Sequence, residues 1–383
     1  MFSRREFLAR TGRFAAATGC GGLAAHCWKG IASASDGPGL GEILRTAPRA
    51  RYWMPVDSGS KLVQCLLCAH RCSIPEGERG RCRARMNVGG ELRSLVYGRP
   101  LAIHVDPIEK KPFFHFLPGA EAFSLGTAGC PFRCRFCQNW QLSQSRPEDN
   151  PPAYTPPAKV VEAAEARRAP VIAFTYNEPT VQTEFLTDVA RAAKRAGIRS
   201  VIVSCGFMSE APLREMCEVL GAVKIDLKGF SPAFYRDVSQ AELAPVLRSI
   251  RQAAGSGVHL EIVNLVVPTL NDSEAMLQGL ADWVAGEVGP DVPVHFTRFH
   301  PDYQLRNLPP TPVATLEKAR EIAMKKGIRY AYVGNVPGHP GNHTYCPGCG
   351  KVVIGRSGFF VTAVNLEKGR CRSCGRAVAG VWA

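Results

Sequence analysis

The segment Cys130-Pro-Phe-Arg-Cys134-Arg-Phe136-Cys137 places three thiols on one short loop, behind the glycines Gly126 and Gly129. Three thiolates so closely spaced can hold three irons of a 4Fe–4S cluster and leave the fourth iron without a protein ligand. An open iron can take a chelating ligand. S-adenosylmethionine can chelate it through its amino and carboxylate groups, and one electron then cleaves the sulfonium to a 5′-deoxyadenosyl radical that abstracts hydrogen. The alternative, a structural zinc completed by a distant Cys or His, fits the spacing less well, because zinc sites favour C-x2-C knuckles in pairs. Phe136, just before the last cysteine, is placed either to stack on an adenine or to pack in the core.

Two further cysteine groups bracket this loop. Cys346-Pro-Gly-Cys349-Gly and Cys371-Arg-Ser-Cys374-Gly are paired knuckles with 21 residues between them, a zinc-ribbon spacing that implies Zn²⁺. Disulfides are the competing reading if the chain is exported. Near the other end stand Cys65, Cys68, Cys72 and Cys82, with His70 among them. Four sulfurs at that spacing suit zinc or an auxiliary iron–sulfur cluster; zinc is preferred, though spacing does not separate the two. These groups absorb eleven of the 15 cysteines and leave Cys20, Cys27, Cys205 and Cys217.

The elements that must position these groups are legible in the 383-residue sequence, whose 45% hydrophobic and 21% charged composition excludes a fully disordered chain. Its continuous apolar runs fall short of the roughly 20 residues needed to cross a bilayer, so the mature protein reads as soluble. From Phe123 onward short apolar runs alternate with helical-period stretches, the signature of β/α units on a parallel sheet. Strands are expected at Phe123 to Leu125, Val171 to Phe174, Ser200 to Val203, Val223 to Leu227, His259 to Val267, Val294 to Arg298 and Tyr330 to Val333. Helices fit between them, for example Val181 to Ala196 and Ser273 to Val284. Six or so repeats predict an α/β fold, a partial TIM-like (β/α)6 barrel, with its site on the loops after the strands. The expected boundaries are a leader over 1–34, a linker over 35–60, a four-cysteine element over 61–118, the barrel over 119–336 and the ribbon over 337–383.

Net charge is +14, from 47 Lys and Arg against 33 Asp and Glu. The charges are dispersed, with one local cluster at Arg71, Arg79, Arg81, Arg83 and Arg85, so a nucleic-acid surface is not indicated. The N-terminus reads differently. Ser3-Arg4-Arg5-Glu6-Phe7-Leu8, a weakly apolar stretch from Phe14 to Ala25 and Ala32-Ser33-Ala34 resemble a twin-arginine export signal. That leader points to the periplasm or membrane surface, whereas oxygen-sensitive cluster chemistry favours the cytoplasm.

The Cys130 triplet resembles the radical SAM superfamily signature. Cys137-Gln-Asn-Trp140, with Asp106-Pro-Ile-Glu-Lys-Lys-Pro-Phe-Phe-His-Phe-Leu-Pro118 upstream, is similar to the AmmeMemoRadiSam-system radical SAM enzymes, relatives of the pyruvate formate-lyase activating enzymes. The resemblance runs from about Lys61 to the C-terminus. It implies a 4Fe–4S cluster, S-adenosylmethionine, a low-potential electron donor, an unidentified substrate that is a small molecule, protein or RNA, and Memo-like and AMMECR1-like partner proteins. Thr175-Tyr176-Asn177-Glu178-Pro179 takes the place of the family's GGE motif, making Asn177 and Glu178 the residues for the methionine amino group. Asp226-Leu227-Lys228 resembles the paired Asp and Lys that contact the cofactor in activating enzymes. Ser204-Cys205-Gly206-Phe207 stands where the family has Ser-Asn-Gly and an aromatic, so Cys205 departs from the pattern while Ser204 and Gly206 keep it. Asn264, Arg298 and His300, at or after later strands, are further candidates for ribose, carboxylate or substrate. Activation of a glycyl-radical enzyme is the competing enzymatic reading, and a non-catalytic electron-carrying or RNA-binding metal protein the competing reading of another class.

Overall fold

The computed structural model describes residues 39–57 and 59–383. The expected leader, with Cys20 and Cys27, lies outside the described residues. At the centre is an eight-stranded sheet of β1 (Ala102–Pro107), β2 (Glu121–Gly126), β3 (Val171–Phe174), β4 (Arg199–Ser204), β5 (Ala222–Asp226), β6 (His259–Val266), β7 (Val294–Arg298) and β8 (Ala331–Gly334). Their order in the sheet is their order in the chain. The first pair is antiparallel and every later pair parallel. Between the parallel strands run α1 (Pro157–Ala166), α2 (Thr183–Arg195), α3 (Glu210–Val219), α4 (Leu243–Gly255), α5 (Glu274–Glu287) and α6 (Val313–Lys325). A sequential order is that of a curling barrel rather than of a doubly wound sheet, which reverses at a switch point. Because β1 and β8 do not pair, the barrel is open. The parallel strands number seven, linked by six helices, and the additional edge strand β1 had no sequence expectation. No helix among the described residues is long and apolar enough to cross a membrane.

Strand alternation sorts side chains between two cores. Ile172 and Phe174 of β3 join the cluster that packs on Val160, Val189 and the other helix residues, while Val171 and Ala173 face a second cluster with Phe113, Phe116, Val201 and Ala222. The stretch expected as a linker is structured where it is described. Leu40–Thr46 forms a helix, and Trp53–Pro55 pairs antiparallel with Val63–Cys65.

One polar network fastens the segment around Phe114 and the C-terminal module to the barrel's N-terminal end. The Glu261 carboxylate, fully buried on β6, accepts the backbone N–H groups of Phe114 and His115 at 3.0 and 2.8 Å, and meets His295 Nε2 at 2.6 Å and His259 Nε2 at 3.0 Å. Burial pushes its pKa up, but the hydrogen bonds from His259 and His295 outweigh that and hold it well below the usual carboxylate range. Burial also pushes His115 down to about 3, so its ring is neutral and bridges Ala379 O and the Tyr332 hydroxyl. Arg356, from the strand Val352–Ser357, donates to Phe114 O at 2.6 Å and faces Glu109 at 3.6 Å, both side chains being buried. The motif from Asp106 to Pro118 is therefore a plug, and the C-terminal module is bolted to it.

Glu261→Gln should cost about 2–4 kcal/mol, since the amide leaves a buried set of charge-assisted donors under-satisfied. The carboxylate's depressed pKa contributes stability that is present above its ordinary value near pH 4.5 and lost as acidification protonates it in the fold. Thermal unfolding of the two proteins should therefore differ most at neutral pH and converge under acid.

Candidate active site

The register of the parallel strands brings their C-terminal ends to one rim: Leu125 opposes Phe174, Ile225 opposes Ser204, Asp226 opposes Val263, and Val266 opposes Arg298. The loop after β2 carries the three cysteines. Gly129 lies at φ +89°, and a Cβ there would run into the Cys82 carbonyl, so only glycine lets the loop pass this closely. Arg133 donates to Cys130 O at 2.6 Å and to the Arg81 carbonyl; Arg81 Nε donates to Pro131 O at 3.2 Å, and Arg83 donates to Gln144 O. Of the basic cluster seen in the sequence, Arg81 and Arg83 are thus spent on the carbonyls of this loop and its surroundings, while Arg79 and Arg85 pair with Glu148 and Glu184.

Cys134 is buried and Cys130 half-buried, and desolvation pushes both thiols up, Cys134 to about 11 despite the opposing Lys228 ammonium. Thiolates become favourable there once a cation sits among them. Two groups of rim residues approach the triplet. On one side Glu178 accepts from Thr180 N at 3.0 Å, Thr180 Oγ1 at 2.5 Å, Ser204 Oγ at 2.7 Å and Cys205 N at 2.6 Å, and its charge bears on Cys130. Ser204 Oγ also accepts Gly206 N, and Gly206 sits at φ +70° where a Cβ would strike Ile225. Asn177 donates from Nδ2 to Gly129 O at 2.8 Å, which ties the loop after β3 to the cysteine loop.

On the other side Lys228 Nζ lies 2.7 Å from Asp226 Oδ2 and 5.9 Å from the centre of the Phe136 ring. Burial lowers the Lys228 pKa, but Asp226 and the neighbouring Cys134 more than offset it and the ammonium is held charged. Asp226 is correspondingly held low by Lys228 and Lys224 against its burial. Lys224 was not singled out from the sequence, yet it lies two residues from Asp226 on the same strand face and 3.5 Å from its carboxylate. Phe136 is 4% exposed and stacks with Phe234 at 6.3 Å, and Tyr235 OH accepts the Lys228 N–H at 3.1 Å. Asn264 donates to Leu227 O at 2.8 Å, and its Oδ1 is buried without a partner. Arg298 Nε is taken by Thr311 O at 2.8 Å, and His300 lies exposed on the loop after β7. Trp140 stacks on Tyr303 at 5.2 Å, joining the helix after the triplet to that same loop.

Residues 124–280 match the Radical SAM superfamily. An uncharacterized protein of Methanocaldococcus jannaschii is 43% identical over 331 residues, 86% of this chain and 98% of that one. A pyruvate formate-lyase-activating enzyme of Clostridium pasteurianum is 23% identical over 214 residues, 52% of this chain and 87% of that one. Among solved structures, a radical SAM methyltransferase from Sphaerobacter thermophilus aligns with a TM-score of 0.46 at 16% identity, covering 57% of this chain and 67% of that one.

The chain belongs to the radical SAM superfamily, and it is an enzyme of that class. The superfamily implies a 4Fe–4S cluster and S-adenosylmethionine, and the rim suits both. No three of its sulfurs contract to within 4.8 Å of one another, so the triplet is not drawn around a single ion. The buried and unpartnered Asn264 Oδ1 is an acceptor of the kind a ligand hydroxyl or ammonium satisfies. The C-terminal Cys346, Cys349, Cys371 and Cys374 do converge within 4.8 Å and could bind a metal.

Glu178→Gln should destabilise the fold by about 2–3 kcal/mol, because an amide hydrogen must oppose the N–H or O–H donors now pointing at the carboxylate. Chemical denaturation of the two proteins measures it.

Proposed function

We propose that this enzyme reductively cleaves S-adenosylmethionine and directs the product radical at a second, unidentified substrate, in a system of the AmmeMemoRadiSam type. The observation that carries the reading is the meeting, at one rim, of a partly buried three-cysteine loop with the Glu178–Ser204 network on one side and the Asp226–Lys228 pair on the other. When bound, the cluster supplies the electron that breaks the sulfonium, and the nucleotide supplies the hydrogen-abstracting radical.

The protein's own part is positioning and exclusion. Cys130, Cys134 and Cys137 hold three irons and leave one corner for the nucleotide. Glu178 anchors the loops after β3 and β4 and offers a carboxylate toward the methionine ammonium, with Asn177 orienting the cysteine loop beside it. Lys228 stays an ammonium near Cys134, favouring its thiolate form, and Asp226 keeps it in place. Phe136 and Phe234 close that side with apolar surface, which keeps water from a reactive radical. Asn264, Arg298 and His300 are assigned to the outer part of the site, toward ribose, carboxylate or substrate. The C-terminal four-cysteine module carries Zn²⁺ in this reading, supported by sulfur pairs at 3.5 and 3.8 Å. A low-potential protein donor and Memo-like and AMMECR1-like proteins are the partners it assigns. Activation of a glycyl-radical enzyme is the second reading, supported by the likeness to the Clostridium activating enzyme.

Anaerobically reconstituted and reduced protein should release 5′-deoxyadenosine from S-adenosylmethionine, and Cys134→Ala should release none above background. Lys228→Met should leave detectable turnover with an apparent affinity for S-adenosylmethionine weaker by about tenfold or more, the scale of one lost buried charge interaction. Release unchanged in Cys134→Ala removes the proposal. A radical appearing on an added glycyl-radical partner decides for the second reading.

A further inference from the structure

Spacing does not separate zinc from an iron–sulfur cluster for the four N-terminal cysteines, and the structure favours the cluster over the zinc preferred from the sequence. Cys65 ends the strand Val63–Cys65 and takes a backbone bond to Cys72 O at 2.9 Å, while Cys68 and Cys82 stand in tight turns closed by Arg71 N and Arg83 N. All four line a single cavity, which Pro131 and Thr180 also border. Gly80 lies against it: a Cβ there would press on Ile74 at 3.3 Å and reach ordinary contact, 3.8 and 3.9 Å, with the sulfurs of Cys82 and Cys72.

Sulfur separation divides the three cysteine groups. Around one zinc at a Zn–S distance of about 2.3 Å, tetrahedral sulfurs stand roughly 3.8 Å apart. The C-terminal four meet that requirement, with pairs at 3.5 and 3.8 Å and all four within 4.8 Å. Among the described residues theirs is the one such convergence of Cys, His, Asp or Glu atoms. The N-terminal four surround a cavity without contracting onto a point, and in this they behave as the Cys130 triplet does. That is the arrangement in which each thiolate takes its own iron at a separate corner.

A second observation concerns charge. Arg85 also borders the cavity and is fully buried. Its NH1 donates to Arg51 O at 2.6 Å and its NH2 pairs with Glu184, but its Nε is buried with no acceptor. An orphaned guanidinium N–H is costly unless something negative satisfies it, and a sulfur-ligated cluster of net negative charge is such a group. His70 Nε2 is engaged by Pro131 O at 3.0 Å, which leaves Nδ1 as its one ring nitrogen for any ligand.

We propose that Cys65, Cys68, Cys72 and Cys82 ligate a second, fully thiolate-bound 4Fe–4S cluster beside the catalytic one. The two sites share a wall: the Cys82 carbonyl fills the space a Cβ on Gly129 would need, and Pro131, which borders the cavity, follows Cys130. The second cluster lies on the path of the electron that the proposed reaction requires, and this part of the inference rests on that reading. One electron enters from a low-potential one-electron protein donor, reduces the second cluster, and passes to the first, so that the second returns to its oxidised state and no bond or proton changes.

The test counts metals in anaerobically purified, iron- and sulfide-reconstituted full-length protein. Two clusters give about eight irons per chain and about one zinc, with Mössbauer spectra of cubane type throughout. The triple variant Cys130→Ala/Cys134→Ala/Cys137→Ala and the double variant Cys68→Ser/Cys82→Ser should each keep about four irons. Dithionite-reduced wild type should show an electron paramagnetic resonance spectrum broadened by two neighbouring spins, and each variant a simple one. About four irons and two zincs in the wild type overturns the proposal, whether or not the variants fold. Because the count needs no turnover, eight irons without 5′-deoxyadenosine release would refute the cleavage reaction and leave the second cluster standing.

Discussion

Everything at the working end of this protein depends on gathering three thiols on one loop where, without a cation among them, desolvation holds Cys130 and Cys134 in the neutral form. The pKa values of those two are pushed up by desolvation, and the enzyme's answer is a loop shaped in advance for the cation that makes thiolates favourable. The shape comes from three sources: a glycine in the left-handed region pressed against the Cys82 carbonyl, arginines that cap the loop's own carbonyls, and an asparagine from the next strand's loop. Lys228 adds a fixed positive charge close to Cys134.

The opposite end of the barrel answers a different constraint. An open sheet of seven parallel strands leaves its inner face exposed unless something fills it, and here the filler is the segment from Asp106 to Pro118. Its backbone donors end on Glu261, a carboxylate bound by two histidines, and its carbonyl at Phe114 ends on Arg356. The C-terminal cysteine module is consequently part of the barrel's closure and stands away from the rim, which gives it a structural task.

Much of this was readable in the residues. The parallel strands and the helices between them follow from apolar periodicity, and the structure places them within a few residues of expectation: Ser273, for instance, caps α5, which runs Glu274–Glu287. The rim was legible because Glu178, Ser204 and Asp226 each follow or end a strand. Lys224 escaped because a lysine inside an apolar strand reads as a solvated interruption, although the alternation that marked Asp226 applies to it equally. Strand β1 escaped because its burial is only partial along its length and it ends in Pro107, so neither alternation nor a continuous apolar run announces it. Residues 40–46 and 53–55 escaped because Gly, Pro and Ser punctuation reads as a linker, while the order there comes from contacts with distant strands. Spacing alone could not assign the N-terminal cysteines, since the deciding quantity is the separation of sulfurs in space.

The central claim is that Cys130, Cys134 and Cys137 carry a cluster with one iron open to the nucleotide. Electron paramagnetic resonance of the reduced Cys68→Ser/Cys82→Ser protein, which isolates that cluster, measures it directly on adding S-adenosylmethionine labelled with ¹⁷O at its carboxylate or ¹⁵N at its amine. The account predicts a shifted signal carrying hyperfine coupling from the label. A cluster signal unchanged by saturating nucleotide, with no coupling to either label, would contradict it.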